Sequence, residues 1–404
     1  MAVGSGTIPE IFPVAGVRIG VAEAGIRKQQ RKDLVVFELA ETTRVAAVFT
    51  TNAFCAAPVH VAKKHLAESA CRYWLINTGC ANAGTGEQGM QDAQRSCAAL
   101  AKITGVAAEN ILPFSTGVIG ELLPMDKLEA GLTPALENLA SEHWLRAAEG
   151  IMTTDTRPKI ASKKIVLNGK AVTITGISKG AGMIKPNMAT MLGFVATDAQ
   201  VAQKDLQDLL TQVANKSFNR ITIDGDTSTN DACMLAATSC SGVALTPQST
   251  DWISFANAIE AVFVELAQAI VRDGEGATKF ISVVINGGNS SDECLRAAYA
   301  IAESPLVKTA LFASDPNWGR ILAAIGRSGI VDLDTSRINI FLNGVQIVAN
   351  GGRAASYTEE QGVAAMAPEE IEIRVELQRG AMSETVWTCD FSHDYVTINA
   401  EYRT

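Results

Sequence analysis

Thr190 is a candidate nucleophile, because it stands where a glycine-rich turn runs into an apolar segment. Residues 179–192 read KGAGMIKPNMATML. Gly180 and Gly182 allow backbone angles that other residues resist, and the Pro-Asn pair that follows favours a tight turn. Residues 190–196 are mostly apolar and predict a buried strand. The peptide bond before Thr190 is therefore expected to be strained.

Self-cleavage at that bond would make Thr190 an N-terminal nucleophile. Attack of its hydroxyl on the Ala189 carbonyl gives an ester, and hydrolysis of the ester leaves Thr190 with a free α-amine beside its own hydroxyl. An α-amine titrates near ~8, so it can take the hydroxyl proton close to neutral pH. A threonine that merely begins a strand is the alternative interpretation.

Three further positions carry groups that an acyl-transfer site needs. Thr116 and Gly117, between two apolar segments, predict a glycine-loosened loop that could aim a hydroxyl and a backbone N–H at one oxyanion. Lys179, in its glycine-rich setting, could bind an anion, and Glu275, between two glycines, could bind a cation. A plain turn and two solvated surface charges are the alternatives.

Metal and nucleotide motifs fail on spacing. The segment that begins at Asp224 resembles a calcium loop, but Thr229 stands where glycine is required and Leu235 where glutamate is required. The glycine-rich residues 77–86 lack the Lys-Ser/Thr pair of a phosphate loop. The four histidines, at 60, 65, 143 and 393, do not fall at metal-ligand spacings. We expect neither a metal site nor a histidine-based triad.

Composition predicts a globular protein. The chain has 404 residues, of which 47% are hydrophobic and 19% charged, with a net charge of −9, which argues against nucleic acid as a partner. Residues 253–271 form an apolar stretch, but the positions of Glu260 and Glu265 within it fit an amphipathic buried helix rather than a membrane span.

Eight scattered cysteines without a CxxC pair suit a reducing compartment. The N-terminal residues show no pattern of a secretion or organelle signal, so we expect a cytoplasmic location.

Strand-like and helix-like runs alternate, which predicts an α/β or α+β fold. The strand-like runs are 34–39, 45–50, 73–77 and 221–224, and the helix-like runs are 88–102, 126–139 and 205–216. Asn168-Gly169 and Asn343-Gly344 each separate two β-rich runs and predict hairpins, so antiparallel pairing is expected. Residues 395–398 are interpreted as a final strand.

Several separated motifs resemble the ornithine acetyltransferase (glutamate N-acetyltransferase) family of arginine biosynthesis. Besides KGAGMIKPNMATML they are STGVIG at 115–120, TTDT at 153–156, DGEGATK at 273–279 and INAEYRT at 398–404. The resemblance runs from end to end. It implies that the enzyme transfers acetyl from N2-acetylornithine to L-glutamate through an acetyl-threonine ester, in a ping-pong exchange.

The resemblance also implies a role for each site residue. Thr190 is the nucleophile after cleavage between Ala189 and Thr190, and Thr116 with Gly117 stabilises the oxyanion. The substrate-binding set is Thr153, Lys179, Thr190, Glu275, Asn399 and Thr404, with Glu275 against an amino group of ornithine. No metal or organic cofactor is implied, although acetyl-CoA remains open as a second acetyl donor.

The architecture implied by the resemblance is a set of layered antiparallel or mixed sheets flanked by helices, an αββα-like arrangement with a smaller C-terminal α/β domain. We expect the layered domain at 1–280 and the smaller domain at 281–404. Cleavage gives an alpha chain, 1–189, and a beta chain, 190–404. Two copies of each are expected to assemble as a heterotetramer.

Two other functions share part of this pattern. A self-cleaving aminopeptidase or amidase would use Thr190 but pass the acyl group to water instead of glutamate. A non-catalytic amino-acid-binding protein would keep Lys179 and Glu275 but has no use for a self-cleaving threonine.

Overall fold

The computed structural model describes residues 2–185 and 191–401. The strands are β1 (Val17–Ala22), β2 (Leu34–Leu39), β3 (Arg44–Phe49), β4 (Tyr73–Cys80), β5 (Ile111–Val118), β6 (Lys159–Leu167), β7 (Lys170–Lys179), β8 (Leu192–Thr197), β9 (Gln200–Val201), β10 (Ala232–Ala237), β11 (Ala244–Leu245), β12 (Phe280–Gly288), β13 (Asn339–Leu342), β14 (Val345–Ala349), β15 (Gly352–Arg353), β16 (Glu370–Glu376) and β17 (Met382–Cys389). The α-helices are α1 (Ala57–Glu68), α2 (Gly86–Thr104), α3 (Met125–Glu137), α4 (Trp144–Gly150), α5 (Gln203–Lys216), α6 (Trp252–Arg272), α7 (Ser291–Ala302), α8 (Pro305–Phe312), α9 (Trp318–Gly326), α10 (Glu359–Met366) and α11 (His393–Ala400).

Two mixed sheets pack face to face. The first sheet has the order β1-β2-β4-β5 and the second β3-β10-β8-β7-β6. Their facing sides share one buried apolar cluster, in which the Phe194 ring of the second sheet lies 5.8, 5.4 and 5.1 Å from the rings of Phe37, Trp74 and Phe114 of the first. Because aromatic side chains bury a large apolar area, this layer holds the two sheets together.

Helices cover the outer sides of both sheets. The apolar faces of α2 and α3 pack on the first sheet, and those of α5 and α6 pack on the second. The layers therefore run helix, sheet, sheet, helix. This arrangement confirms the predicted αββα-like fold of mixed sheets flanked by helices.

A third sheet follows in the C-terminal part of the chain, with the order β15-β14-β13-β16-β12-β17. Its buried apolar residues, together with those of α7 to α10, form a separate cluster between Ile281 and Val386. The division of the chain into domains at 1–280 and 281–404 remains a prediction.

Among the helices of residues 2–185 and 191–401, one is long and apolar enough to cross a membrane. It is α6, and its mean hydropathy is 1.4. Core helices of globular proteins meet the same criterion. Its buried residues recur at intervals of three and four, from Phe255 to Val271, and they pack against β6 and β7. The prediction of an amphipathic buried helix is confirmed.

Both predicted hairpins are present. Asn168 and Gly169 join β6 to β7, and Asn343 and Gly344 join β13 to β14, all four with positive φ between 43° and 84°. Asn-Gly adopts such turns readily, and their twist matches that of paired strands. All eight cysteines, which lie in the described residues, are free thiols.

Two predicted strands are wrong. Residues 221–224 form only an isolated bridge from Ile221 to Trp387 of β17, because the Ile223 N–H donates to the Ile184 carbonyl at 2.8 Å instead of to that strand. Residues 395–398 belong to helix α11 despite their β-prone side chains. Tyr395 stacks on Phe391 at 4.7 Å, and the Asn399 amide donates to the Tyr395 carbonyl, so local and tertiary contacts override the β-propensity.

Candidate active site

Thr116 and Gly117 lie near the end of β5, not in a loop as predicted. They pair in parallel with Thr78 and Gly79 of β4. Gly117 has a φ of +134°, and a Cβ added there would meet the Gly79 carbonyl carbon at 2.4 Å. Only glycine fits this close approach of two strands. The neighbouring strand thus sets the position of the Thr116 hydroxyl.

Lys179, the last residue of β7, donates a hydrogen bond from Nζ to Thr116 Oγ1 at 3.0 Å. The end of a strand, rather than a glycine loop, carries the lysine. That Lys179 binds an anion stays a prediction. Since the Thr116 oxygen accepts from the ammonium, its own hydrogen remains available for a second acceptor. The pair can therefore present one polarised O–H to a substrate.

A buried ion triad stands behind this pair. Lys159 Nζ lies 2.5 Å from Asp155 and 2.6 Å from Asp273, and the exposed fraction of each side chain is 1% or less. Asp155 also accepts the backbone N–H groups of Thr153 at 2.8 Å and of Gly180 at 2.7 Å.

The triad connects three predicted site residues that are distant in the sequence. Asp155 follows Thr153 by two positions, Gly180 follows Lys179, and Asp273 precedes Glu275 by two. Sequence reasoning quoted Asp155 and Asp273 within motifs but assigned them no role, and it did not consider Lys159. Lys159 and Asp273 pair across 114 residues, and contact between such distant residues leaves no spacing pattern in the sequence.

Burial and neighbouring charges act in opposite directions on the pKa values of Asp155 and Lys179. Burial raises the pKa of Asp155, but the ammonium groups of Lys159 and Lys179 and the Gly180 hydrogen bond outweigh it and hold that pKa below its ordinary value. Burial lowers the pKa of Lys179, against the attraction of carboxylates that include Asp155 and Glu275. The site therefore pairs a firmly ionised carboxylate with a lysine that releases its proton more easily than usual.

Asp231 is a second residue that sequence reasoning missed. It is buried immediately before β10, and its Oδ2 has no hydrogen-bond partner among the described residues. Burial raises the pKa of Asp231 well above its ordinary value, although Ser228 and Lys179 act in the opposite direction. This carboxyl group, beside the site, therefore holds its proton more tightly than an exposed aspartate does.

Asn230 ties the second sheet to the first at this point. Its amide donates to the carbonyls of Ala81 at 2.6 Å and Ser115 at 2.9 Å. The start of β10 is thus held against the end of β5. Sequence reasoning examined the nearby residues only as a failed calcium loop.

Glu275 closes the other side of the site. It is buried, and its Oε2 accepts a hydrogen bond from the Asn399 amide of α11 at 2.8 Å. A Cβ at Gly182 would lie 2.4 Å from the same oxygen, so glycine there leaves room for the carboxylate in this position. The Glu275 carboxylate offers acceptors for a cationic group.

One cavity of about 260 Å³ collects the predicted site residues that the structure describes. It is lined by Thr116, Gly117, Thr153, Lys179, Glu275 and Asn399. Ala189, Thr190 and Thr404 lie outside the described residues, as does the predicted cleavage between Ala189 and Thr190. Across residues 2–185 and 191–401 no group of three or more His, Cys, Asp and Glu side chains is arranged to hold a metal ion.

The chain on both sides of residues 186–190 is anchored at this cavity. Asp224, which began the rejected calcium loop, accepts the backbone N–H groups of Met183 at 2.6 Å and Ile184 at 2.9 Å. The Met191 carbonyl accepts the N–H of Ala232, the residue after Asp231, at 2.9 Å. Asp224 thus has a structural role that its calcium-like spacing concealed.

A layered α/β protein whose cavity holds a lysine-bonded threonine hydroxyl, a glycine that permits close backbone approach and a buried carboxylate has the parts of an acyl-transfer enzyme. Comparison with known proteins agrees. The sequence model of the ArgJ family matches residues 18–404, and the chain belongs to this family. It is an acetyltransferase of arginine biosynthesis.

Several relatives match over the full length. The chain is 59% identical to the arginine biosynthesis bifunctional protein ArgJ of Pseudomonas syringae pv. tomato and 60% identical to that of Pseudomonas fluorescens, with 100% of both chains covered in each comparison. The ArgJ protein of Psychrobacter arcticus is 54% identical over the same full coverage.

Solved structures match over part of the chain. The ArgJ protein of Bacillus halodurans is 38% identical, covers 50% of this chain and 95% of its own, and has a TM-score of 0.49. The ornithine acetyltransferase of Mycobacterium tuberculosis, solved in complex with ornithine, is 32% identical, covers 44% of this chain and 94% of its own, and has a TM-score of 0.39.

Proposed function

We propose that the enzyme transfers acetyl from N2-acetylornithine to L-glutamate through an acetyl ester on Thr190, after cleavage between Ala189 and Thr190. The observation that carries this proposal is the cavity in which Thr116, Gly117, Lys179 and Glu275 converge. Among the described residues that line the cavity none is a histidine, which is consistent with a nucleophile that carries its own base.

In the first half-reaction, the Thr190 hydroxyl attacks the acetyl carbonyl of acetylornithine while its proton passes to the Thr190 α-amine. The oxyanion accepts hydrogen bonds from the Thr116 hydroxyl and the Gly117 N–H. As the intermediate collapses, the C–N bond breaks and the α-amine returns the proton to the departing amino group of ornithine. Acetyl-Thr190 and ornithine result.

In the second half-reaction, the neutral amino group of glutamate attacks the ester carbonyl, and the same two donors stabilise the oxyanion. The C–O bond to Thr190 breaks, the α-amine relays the amine proton to the threonine oxygen, and N-acetylglutamate leaves. No metal or organic cofactor takes part in this proposal. Acetyl-CoA, if it serves as a donor, would enter at the first half-reaction.

Lys179 acts on Thr116 in this proposal. Its ammonium occupies a lone pair of Oγ1 at 3.0 Å, which turns the Thr116 hydrogen toward the oxyanion and strengthens it as a donor. This role differs from the direct binding of an anion that the sequence predicts for Lys179. The Glu275 carboxylate accepts hydrogen bonds from the side-chain ammonium of ornithine. Thr153 lies on the loop held by Asp155 and lines the same cavity.

We further propose that two alpha chains, 1–189, and two beta chains, 190–404, assemble in the cytoplasm. Asn399 and Thr404 complete the substrate site in this proposal. The contact between the Asn399 amide and Glu275 supports the first of these assignments.

Mass spectrometry of the acetyl-enzyme tests the proposal. Purified enzyme mixed with acetylornithine alone is expected to carry one acetyl group on the fragment that begins at Thr190, and glutamate is expected to remove it. Thr190→Ser should keep part of both cleavage and transfer. An uncleaved Thr190→Ala protein with full transferase activity would refute the nucleophile.

The choice of acceptor separates the transferase from an aminopeptidase or amidase. A transferase releases ornithine continuously only when glutamate is present, whereas a hydrolase releases it at the same rate with water alone. Free acetate as the main product in the presence of glutamate would overturn the proposed transfer.

A further inference from the structure

A second cavity, of about 190 Å³, adjoins the active site. It shares four lining residues with the active-site cavity, Gly117, Val118, Thr153 and Thr154. A substrate held at the Gly117 N–H therefore has space in two directions. The chemical character of the two spaces differs.

The second cavity is cationic. Arg27, Lys28 and Arg31 line it, and Glu401 is the one acidic residue that lines it within residues 2–185 and 191–401. Three cations on one small surface stand out in a chain whose net charge is −9. A surface of this kind attracts carboxylate and phosphate groups.

The loop that carries these cations is held in place. Asp33 accepts the backbone N–H groups of Ala24 at 2.7 Å and Ile26 at 2.6 Å. Arg31 donates to the carbonyls of Met152 at 2.6 Å and Thr153 at 3.1 Å, so it joins the loop to the wall between the two cavities.

Lys28 is the cation most available to a ligand. Its side chain is exposed, and its ammonium makes no hydrogen bond or ion pair with any residue of 2–185 or 191–401. Arg27, by comparison, pairs with Glu121 at 2.8 Å. Substituting Lys28 therefore alters the charge of the cavity without removing a contact of the fold.

The reaction needs both kinds of space. Ornithine and glutamate present the same amino and carboxylate groups at the reacting end but opposite charges at the side-chain end. A side-chain ammonium suits the cavity that contains Glu275, whereas a side-chain carboxylate would face repulsion from Glu275 there. One rigid pocket built around the Glu275 carboxylate cannot serve both side chains well.

We propose that the cavity lined by Arg27, Lys28 and Arg31 is an oxyanion subsite that binds the side-chain carboxylate of the acceptor glutamate. This inference rests on the proposed transfer from acetylornithine to glutamate. It assigns the two substrates of the exchange to separate side-chain pockets around one set of oxyanion donors. Discrimination between ornithine and glutamate then comes from opposite charges in the two pockets.

Kinetics of Lys28→Gln and Lys28→Glu test the subsite. Lys28→Gln is expected to raise KM for glutamate roughly threefold, the scale of an exposed ion pair, and Lys28→Glu is expected to raise it further because it adds repulsion. Acetyl-enzyme formation from acetylornithine should be unchanged. Lys64→Gln, which alters an exposed lysine of α1 lining neither cavity, should leave both substrates unaffected.

Glutamine as acceptor provides the chemical control, because it lacks the charged carboxylate. Any transfer to glutamine should be the same in Lys28→Gln as in the unaltered enzyme. An unchanged KM for glutamate in both Lys28 variants would overturn the subsite. An equal rise in KM for acetylornithine would also overturn the subsite, because it would reflect a general effect on the active site.

The phosphate groups of acetyl-CoA are the other source of the same oxyanion chemistry. A rise in KM confined to acetyl-CoA as donor would overturn the glutamate assignment in favour of the thioester donor. Failure of the unaltered enzyme to form acetyl-Thr190 from acetylornithine would instead refute the proposed function. Failure of the subsite would thus appear in the Lys28 variants, whereas failure of the proposed function would appear in the unaltered enzyme.

Discussion

The hydrogen bond from Lys179 to Thr116 connects the charge of one sheet with the hydroxyl of the other. A threonine hydroxyl can turn its hydrogen in several directions, and an ammonium at 3.0 Å from its oxygen removes some of them. Thr116 lines the cavity, so a hydrogen bond donated into the cavity stays open to its hydroxyl. The role of each side chain therefore depends on the other, and their contributions should not be additive.

Lys179→Met is expected to lower kcat roughly tenfold or more, with a smaller change in KM for acetylornithine, because Thr116 loses the group that orients it. In a Thr116→Ala background the same substitution should have little further effect. Steady-state kinetics of the single and double variants measure this. Lys179→Arg should restore part of kcat. Equal losses in both backgrounds would place Lys179 on the substrate instead.

The raised pKa of Asp231 links its protonation to stability. Its folded state holds the proton more tightly than the unfolded state, so the associated stability is present below the ordinary aspartate pKa and is lost as pH rises through the raised value. Asp231→Asn cannot ionise. The variant is expected to gain melting temperature relative to the unaltered protein as the pH rises above the ordinary aspartate pKa, as calorimetry can measure.

Asp208→Asn is the control for that series, because the Asp208 side chain is 64% exposed. Its melting temperature should follow the unaltered protein over the same pH range. A difference for Asp231→Asn that stays constant with pH would show that Asp231 is ionised in the folded protein.

At the scale of elements, the ion triad joins segments that carry three different site residues. Lys159 begins β6, Asp155 lies in the preceding loop, and Asp273 follows α6. Gly180, after β7, bonds to the same carboxylate. The triad positions the elements around the cavity without contacting the cavity itself.

Asp155→Asn is expected to destabilise the protein by about 3 kcal/mol, the lower end for breaking a buried ion pair, because Lys159 keeps Asp273 as its partner. Urea unfolding monitored by tryptophan fluorescence measures the loss. Lys204→Ala removes a pair whose side chains are 84% and 64% exposed, and it should change stability by less than about 1 kcal/mol. Similar losses in both variants would contradict a structural role for the triad.

At the scale of the whole molecule, the proposed cleavage would divide the second sheet between two chains. Strands β3, β6 and β7 precede residue 189, whereas β8 and β10 follow residue 190. The same six residues of β8 pair with β7 on one side and with β10 on the other, between two buried apolar layers. The two fragments therefore share a core that neither can bury alone.

Cleaved enzyme is expected to run as two bands on a denaturing gel and as one species in size-exclusion chromatography. The physical reason is that separation would expose both faces of the second sheet. N-terminal sequencing should find Thr190 at the start of the beta chain, the fragment of residues 190–404. Separation of the fragments without denaturant would contradict a shared core.

Local features of this protein could be predicted from short stretches of sequence. Both Asn-Gly hairpins and the amphipathic helix α6 depend on conformational preferences and apolar spacing within a few residues. Motif resemblance identified six residues that prove to line one cavity. Each of these features depends on the residues of its own segment, so the sequence alone predicts it.

Contacts between distant segments required the folded molecule. Thr116 lies in a strand because β4 pairs beside it, and residues 395–398 are helical because α11 packs near Glu275 rather than beside a strand. Lys159 meets Asp273 across 114 residues, and Lys179 meets Thr116 across 63. Such pairs form only when layered sheets bring their ends together, and no local preference of either partner encodes them.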